Sequence, residues 1–498
     1  MDTTAAPPPT RVRNSALKPK SVGLPGAVAQ SAALIGPAAG VTAGNIFIAG
    51  KSGEAAPFEF ILGMVVCLSI AVVIGDYARQ LPSAGSFYTY LTKAFGPKVG
   101  FVTGVMLFGA YILLLPFQLA FMGSFTHDYL ATYDVSIAWW IFALALILLS
   151  TGLAVAGVAP SLVAGLIGLA FEVVVFTVLA VVILLKGGAH GITAAPFNPG
   201  NSATGFSGVV LGAVFTIFAV VGFESSSTLG EEARDSRRTI PRAVFLSTLI
   251  IGGFFVLVTF AEVIGFGVDA KGITALQTNA IPFNTLANDF IGGPMSTLVT
   301  VATITSFVAL NIVTVNAGAR MIYAMGRDGM LPRWFDKVNH RHAPSRAAFA
   351  VGVWGIGVPI VLGSIWKPTD LASWAAFLAT LFFIAAYALL NVGIVKYYWQ
   401  QHRADFSPLR HVVVPVIGLL GIGVVTYGNV HPLPPSPLRY FIWTTLVAIA
   451  LASVVAILLE RRDPALVREA GQLFAAETTE AEHVALTGVD LPAPARTV

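Results

Sequence analysis

Nine of the stretches of this chain that contain no Asp, Glu, Lys or Arg have lengths that decide the solvent in which it can fold. They cover residues 21–50, 101–126, 135–171, 187–223, 243–261, 291–319, 347–366, 371–395 and 440–459. About 20 apolar residues in a helix cross the hydrocarbon core of a bilayer. Each stretch is therefore long enough for one or two crossings. A transmembrane barrel would alternate apolar and polar residues over about ten positions, and that alternation is absent.

Composition excludes the soluble alternative. Of 498 residues, 56% are hydrophobic and 11% charged, against about 25% charged in soluble domains. There are too few charges to cover the surface of a soluble chain this long. The single cysteine, Cys67, rules out an internal disulfide framework and reads as a small buried hydrophobe. The first apolar run is too long for a signal-peptide core and reads as a retained helix. The chain up to about Lys20 and after about Arg468 is expected to be disordered, with a membrane domain at 21–460 between tails of 1–20 and 461–498.

Twelve spans are predicted, near 27–49, 58–77, 101–126, 136–156, 160–185, 207–230, 243–266, 295–323, 348–365, 371–394, 412–428 and 440–459. Gly157 and Pro160 divide the fourth from the fifth, because that pair does not continue a helix cheaply. With the N-terminus inside, every Lys and Arg of the 29 falls on the cytoplasmic side except Lys51, Lys186, Lys271, Lys367 and Arg439. The positive-inside rule demands such a bias, and a wrong span count would have scrambled it. Both termini are thus expected to be cytoplasmic, with the 187–201 and 269–288 loops external. The basic balance reflects topology, so nucleic acid is not an expected partner.

Two spans are interrupted. Span 1 carries Gly36-Pro37-Ala38-Ala39-Gly40 at mid-depth, where proline removes a donor and glycine weakens the helix by about 1 kcal/mol. Span 6 carries Val221-Gly222-Phe223-Glu224-Ser225-Ser226-Ser227, a carboxylate and three hydroxyls inside an apolar segment. Breaks in corresponding spans of two halves are a pointer to a membrane binding site. Five spans separate these two, so about 27–185 and 207–394 would be inverted repeats, with spans 11 and 12 peripheral.

Over roughly 22–460 the chain resembles the amino acid–polyamine–organocation permeases. The likeness rests on four stretches. They are Leu81-Pro82-Ser83-Ala84-Gly85-Ser86-Phe87-Tyr88-Thr89-Tyr90 with Gly96 and Gly100-Phe101; Gly222-Phe223-Glu224 with Gly230-Glu231-Glu232-Ala233 and Ile240-Pro241-Arg242-Ala243; Arg320-Met321-Ile322-Tyr323-Ala324-Met325-Gly326-Arg327-Asp328-Gly329-Met330-Leu331-Pro332; and the broken first span. The resemblance implies an all-α membrane protein with the 5+5 inverted-repeat fold of the leucine transporter. It implies alternating access, with a substrate carboxylate on free amides of span 1 and its amine on free carbonyls of span 6. Helix-end charges agree with that polarity. The substrate residues implied are Ile35, Gly36, Pro37, Ala38, Ala39 and Gly40 with Phe218, Ala219, Val221 and Gly222. Many members have Ser and Gly where this chain has Pro37 and Ala38, which leaves the register of the amides open. In members resembling the arginine–agmatine exchanger, an aromatic gates the site four residues before the span-6 glycine; here it is Phe218.

For each candidate a structural role competes. Gly36 to Gly40 could be a packing kink, and Phe218 apolar filler. Glu224 could simply bond the neighbouring hydroxyls or could serve gating. Glu172 lies in mid-span 5, where a charge is expensive; it is either a bonded structural acid or a proton carrier. In span 8, Thr303, Thr305, Ser306, Asn311 and Asn316 could satisfy their own backbone. Alternatively Thr305 and Ser306 could ligate sodium, as in sodium-coupled carriers of this fold. Asp76 and the run from Glu231 to Arg238 read as ion-paired rim charges.

No nucleophile–base pair, metal-ligand spacing or pore loop is present to suggest an enzyme or a channel. With those classes set aside, the resemblance implies a plasma-membrane secondary transporter for amino acids, expected to work by proton symport and without cofactors. The alternatives are a polyamine or amine transporter, an amino acid exchanger, and sodium in place of protons.

Overall fold

The computed structural model describes residues 15–43, 53–131, 133–202, 205–279, 281–431 and 433–464. The outer end of the first expected span and most of both tails lie outside the described residues. The described chain is all helix, with two isolated β-bridges, Val22 to Ala233 and Gly53 to Ser202. Eleven of its helices are long and apolar enough to cross a membrane, making this a multi-pass membrane protein.

The helices are α1 (Leu24–Ile35), α2 (37–43), α3 (Ala56–Gln80), α4 (Phe87–Phe95), α5 (Pro97–Ala131), α6 (Trp139–Ala156), α7 (Val158–Leu185) and α8 (Phe206–Val220). They continue with α9 (Ser236–Phe266), α10 (Ala270–Thr278), α11 (Pro282–Phe290), α12 (Gly293–Arg327), α13 (Ser345–Gly363), α14 (Pro368–Gln401), α15 (Val414–Val430) and α16 (Leu438–Arg462). Prolines begin α5, α11 and α14, where a missing N–H is harmless. Gly157, at φ 117°, divides α6 from α7, and Pro160 sits in the first turn of α7.

The expected sixth span is not one helix. It is α8, an extended Val221, a left-handed Gly222 and a 3-10 segment, Phe223–Leu229. The expected loops also hold structure: α4 follows span 2, while α10 and α11 occupy most of the 269–288 connection. The Asp269 side chain caps α10, accepting from Gly272 N–H at 3.1 Å.

Lipid is the solvent of the outer helices. On α16, Leu451 and Leu458 are 61% and 56% exposed, whereas Ala33 and Ala38 of the first span are fully buried. Between buried helices, glycines permit close approach where hydrophobic collapse alone gives little drive. A Cβ at Gly109 would stand 2.6 Å from the Phe382 ring, and one at Gly252 2.6 Å from Met64.

One end of the bundle is closed by ions and by the start of the chain. Arg320 of α12 pairs with Glu232, both 2% exposed. Arg327 holds Glu231 at 2.9 Å and Asp328 at 3.0 Å. Burial, the largest influence, pushes the Glu231 carboxyl up, but Arg327 beside it together with hydrogen bonds from Ser15 and Ala84 N–H holds it below its usual range. Residues 15–22 run across this end. Ala16 N–H donates to the Tyr323 hydroxyl at 2.9 Å, Leu17 is buried, and Val22 exchanges backbone bonds with Glu232 and Arg234. At the same end Arg410 clasps the buried Asp76 at 2.6 Å.

Candidate functional site

The break in the first span begins at Gly36, whose left-handed backbone (φ 64°, ψ 73°) ends α1. A side chain there would be strained, and its Cβ would lie 2.3 Å from Leu310 of α12. Pro37 follows and has no N–H. Two amides at the start of α2 are then answered by other helices. Ala38 N–H donates to Glu172 Oε2 of α7 at 2.9 Å, and Ala39 N–H to Ser306 Oγ of α12 at 3.1 Å. Gly40 N–H returns to Gly36 C=O at 2.6 Å. One turn on, the hydroxyls of Thr42 and Thr303 meet at 3.3 Å.

The break after α8 lies directly against this one. Gly222 has φ 115°, and a Cβ on it would stand 2.7 Å from the carbonyl carbon of Leu34 and 2.9 Å from Ile35 N. Only glycine lets the two backbones approach so closely. Serines join them: Ser31 Oγ donates to Phe223 C=O at 2.6 Å and accepts Ser226 N–H at 3.0 Å, while Ser225 Oγ donates to Gln30 C=O at 3.2 Å.

Glu224 is fully buried and takes three donors: Tyr111 of α5 on Oε1 at 2.9 Å, and Tyr387 of α14 with Gly222 N–H on Oε2 at 2.7 and 3.0 Å. The neighbouring serine hydroxyls do not bond this carboxylate; Ser227 donates to the Glu224 carbonyl instead. Sequence reasoning missed both tyrosines. Their signal was a phenol inside an apolar run, because a buried hydroxyl needs a partner.

Phe218 occupies the last turn of α8 and is half-buried, its ring 6.1 Å from Phe117 in an edge contact. Phe117 in turn meets Phe307, which stacks on Phe121 at 5.2 Å. Ala219 and Val221 are buried, and a Cβ on Gly40 would come 3.7 Å from the Ala219 carbonyl oxygen. Ile35, Gly36, Ala38, Ala39, Gly40, Glu172 and Ser306 therefore gather around one break, with Ala219, Val221, Gly222 and Glu224 around the other. Thr305 is not among them, since its hydroxyl donates to Val301 and Ala302 of its own helix. Asn311, expected to satisfy its own backbone, instead donates to Gln118, which donates to Thr314, tying α12 to α5 by bonds of 2.9 Å.

A family model described as amino acid permease matches residues 28–428. The chain is 26% identical to the branched-chain amino acid permease BcaP of Lactococcus lactis subsp. cremoris over 398 residues, 76% of this chain and 82% of that one. It is 25% identical to the low-affinity putrescine importer PlaP of Escherichia coli K12 over 423 residues, 82% and 87% of the two chains. The serine/threonine exchanger SteT of Bacillus subtilis is 23% identical over 399 residues, 78% and 86%.

Proposed function

The chain belongs to the amino acid permease family, and from that premise we propose that it is a secondary active transporter of amino acids or small amines that binds its substrate between the two breaks. The observation that carries this reading is the contact of Gly222 with Leu34 and Ile35, which sets two interrupted helices face to face in the middle of a membrane protein. Backbone groups freed at mid-membrane need a polar partner, and a small polar solute supplies one. The site comprises Ile35 to Gly40 with Phe218, Ala219, Val221 and Gly222, and Phe218 closes over the solute from its aromatic cluster.

The wider architecture follows the same reading. The chain crosses the plasma membrane twelve times, α8 with its 3-10 continuation being the crossing that length alone does not reveal. Residues 27–185 and 207–394 form inverted halves that rock against each other, and α15 and α16 stand outside them. Both tails, 1–20 and 461–498, lie in the cytoplasm. The end closed by Arg320, Arg327 and residues 15–22 is then the cytoplasmic gate.

Glu172 couples transport to protons. It reaches the broken segment directly, and a carboxylic acid there can gain and lose one proton per cycle. Glu224, bonded by Tyr111 and Tyr387 and to Gly222 N–H, ties the span-6 break to α5 and α14 and transmits opening between them. Sodium is the competing ion. Ser306 and Thr303 face the first span and would be its hydroxyl ligands, whereas Thr305 would not.

Purified protein in liposomes tests the class. Concentrative uptake of an amino acid or amine, abolished when the ion gradients are collapsed, is the expected result. Uptake that only equilibrates, whatever gradient is imposed, contradicts a secondary active carrier.

A further inference from the structure

The substrate class can be narrowed by the hydrogen-bonding groups that the breaks leave over, and this step rests on the proposal that the substrate lies between them. In an unbroken helix the N–H of residue i+4 donates to the C=O of residue i. Three successive carbonyls at the end of α1 lose that donor. Ala33 loses it because Pro37 has no N–H. Leu34 loses it because Ala38 N–H goes to Glu172, and Ile35 because Ala39 N–H goes to Ser306. Across the site Ile217 loses its donor as Val221 N–H turns to Phe218 C=O.

The amides at the same place are spoken for. Gly36 N–H donates to Ala32 C=O, Gly40 N–H to Gly36 C=O, and Gly222 N–H to Glu224. One further acceptor, Oε1 of the fully buried Glu172, makes no hydrogen bond of ordinary length, and the Ser306 hydroxyl, which accepts Ala39 N–H, is a donor facing that same carboxyl. Between the breaks, released acceptors remain while these donors are consumed.

We infer that the substrate is an organic cation without a carboxylate, a primary amine or diamine, held by its ammonium on the released carbonyls of Ala33, Leu34 and Ile35. An ammonium brings three donors and no acceptor. The C-terminal end of α1, towards which those carbonyls point, carries the partial negative charge of a helix. An amino acid brings in addition a carboxylate, which only accepts. At the start of α2 it meets Pro37 with no N–H, Ala38 closed by Glu172 and Ala39 closed by Ser306, with the Glu172 carboxyl alongside. Glu172 fills the place that a substrate carboxylate needs, and it can do so while Oε1 carries a proton.

Ligand pairs that differ only in the carboxylate test this: putrescine against ornithine, cadaverine against lysine, and isoamylamine against leucine. Thermal stabilisation and liposome uptake are measured on the full-length protein, first in potassium medium without sodium and then with sodium. The amine of at least one pair should half-saturate at a concentration about tenfold or more below its amino acid, the penalty expected for a carboxylate left without donors. Pro37→Ser returns the N–H that the Ala33 carbonyl lacks and should weaken amine binding, whereas Glu172→Ala frees the Ala38 N–H and should strengthen amino acid binding. Each narrows that gap, and a damaged fold does not produce the second effect. The inference is overturned if the amino acid binds as well as its amine or better, or if sodium stabilises the protein and amines do not. Should no member of any pair bind, the proposed site fails with it; a preference for amino acids sinks the inference alone.

Discussion

The Glu172 carboxyl, halfway along α7, accepts the N–H of Ala38 at 2.9 Å, so that a side chain of one helix closes the first free amide in the break of another. Any change in the charge of Glu172 is therefore felt at the break itself. Glu172→Gln keeps an oxygen for that N–H and removes the exchangeable proton. In liposomes with separately imposed gradients, the wild-type protein is expected to accumulate substrate with an inward proton gradient, and the variant to retain exchange without accumulation. Uptake driven by sodium alone, or a variant with full pH-dependent accumulation, refutes the coupling role.

Tyr387 and Tyr111 supply two of the three hydrogen bonds on Glu224. Tyr387→Phe removes one hydroxyl and little volume, and it leaves a buried carboxylate short of a donor. The loss should be about 1–3 kcal/mol, read as a lower melting temperature in detergent, and Tyr111→Phe should act similarly. The double variant should fall below either single one, with uptake reduced in parallel. If Tyr387→Phe melts and transports like the wild type, the Glu224 network does not support the break.

How much of this was legible in the sequence depends on the range of the signal. Gly36 and Gly222 announced both breaks, because an interruption is a local property of a few residues. Glu224 was visible as a buried carboxylate, but its tyrosine partners lie 113 and 163 residues away, and only packing unites them. The pair Thr305 and Ser306 is divided for a simpler reason. Successive residues on a helix point about 100° apart, so one faces the first span while the other bonds its own backbone. The short helices α4, α10 and α11 hid in loops, each having nine residues, too few for a helical period to stand out. The amide register left open by Pro37 and Ala38 is filled by Glu172 and Ser306, neither of which has any sequence relation to span 1.

The pairing of Arg320 with Glu232 makes another prediction. Both are 2% exposed, so removing either leaves a buried charge alone. Arg320→Ala should destabilise by about 3–5 kcal/mol, whereas Arg320→Met with Glu232→Leu should recover most of that loss. Melting curves of the three proteins decide it. A double variant no better than Arg320→Ala means that the pair is required for more than its charge balance.

Sidedness follows from the charge pattern. On a Cys67→Ala background, single cysteines in 187–201 and 269–288 should react with an impermeant thiol reagent added outside intact cells. A cysteine at Lys20 should react only after permeabilisation. The reverse pattern would invert the proposed orientation.

The most direct measurement is of the site itself. Ala219 lies beside Gly40 across the two breaks, and Ala219→Cys on the Cys67→Ala background places one thiol there. After confirming that this variant still accumulates a transported compound, its alkylation rate is followed with and without that compound at saturation. Substrate between the breaks should slow alkylation strongly, while an equally buried control such as Ala452→Cys on α16 is unaffected. A variant that transports the compound yet alkylates at the same rate in its presence contradicts the placement of the site.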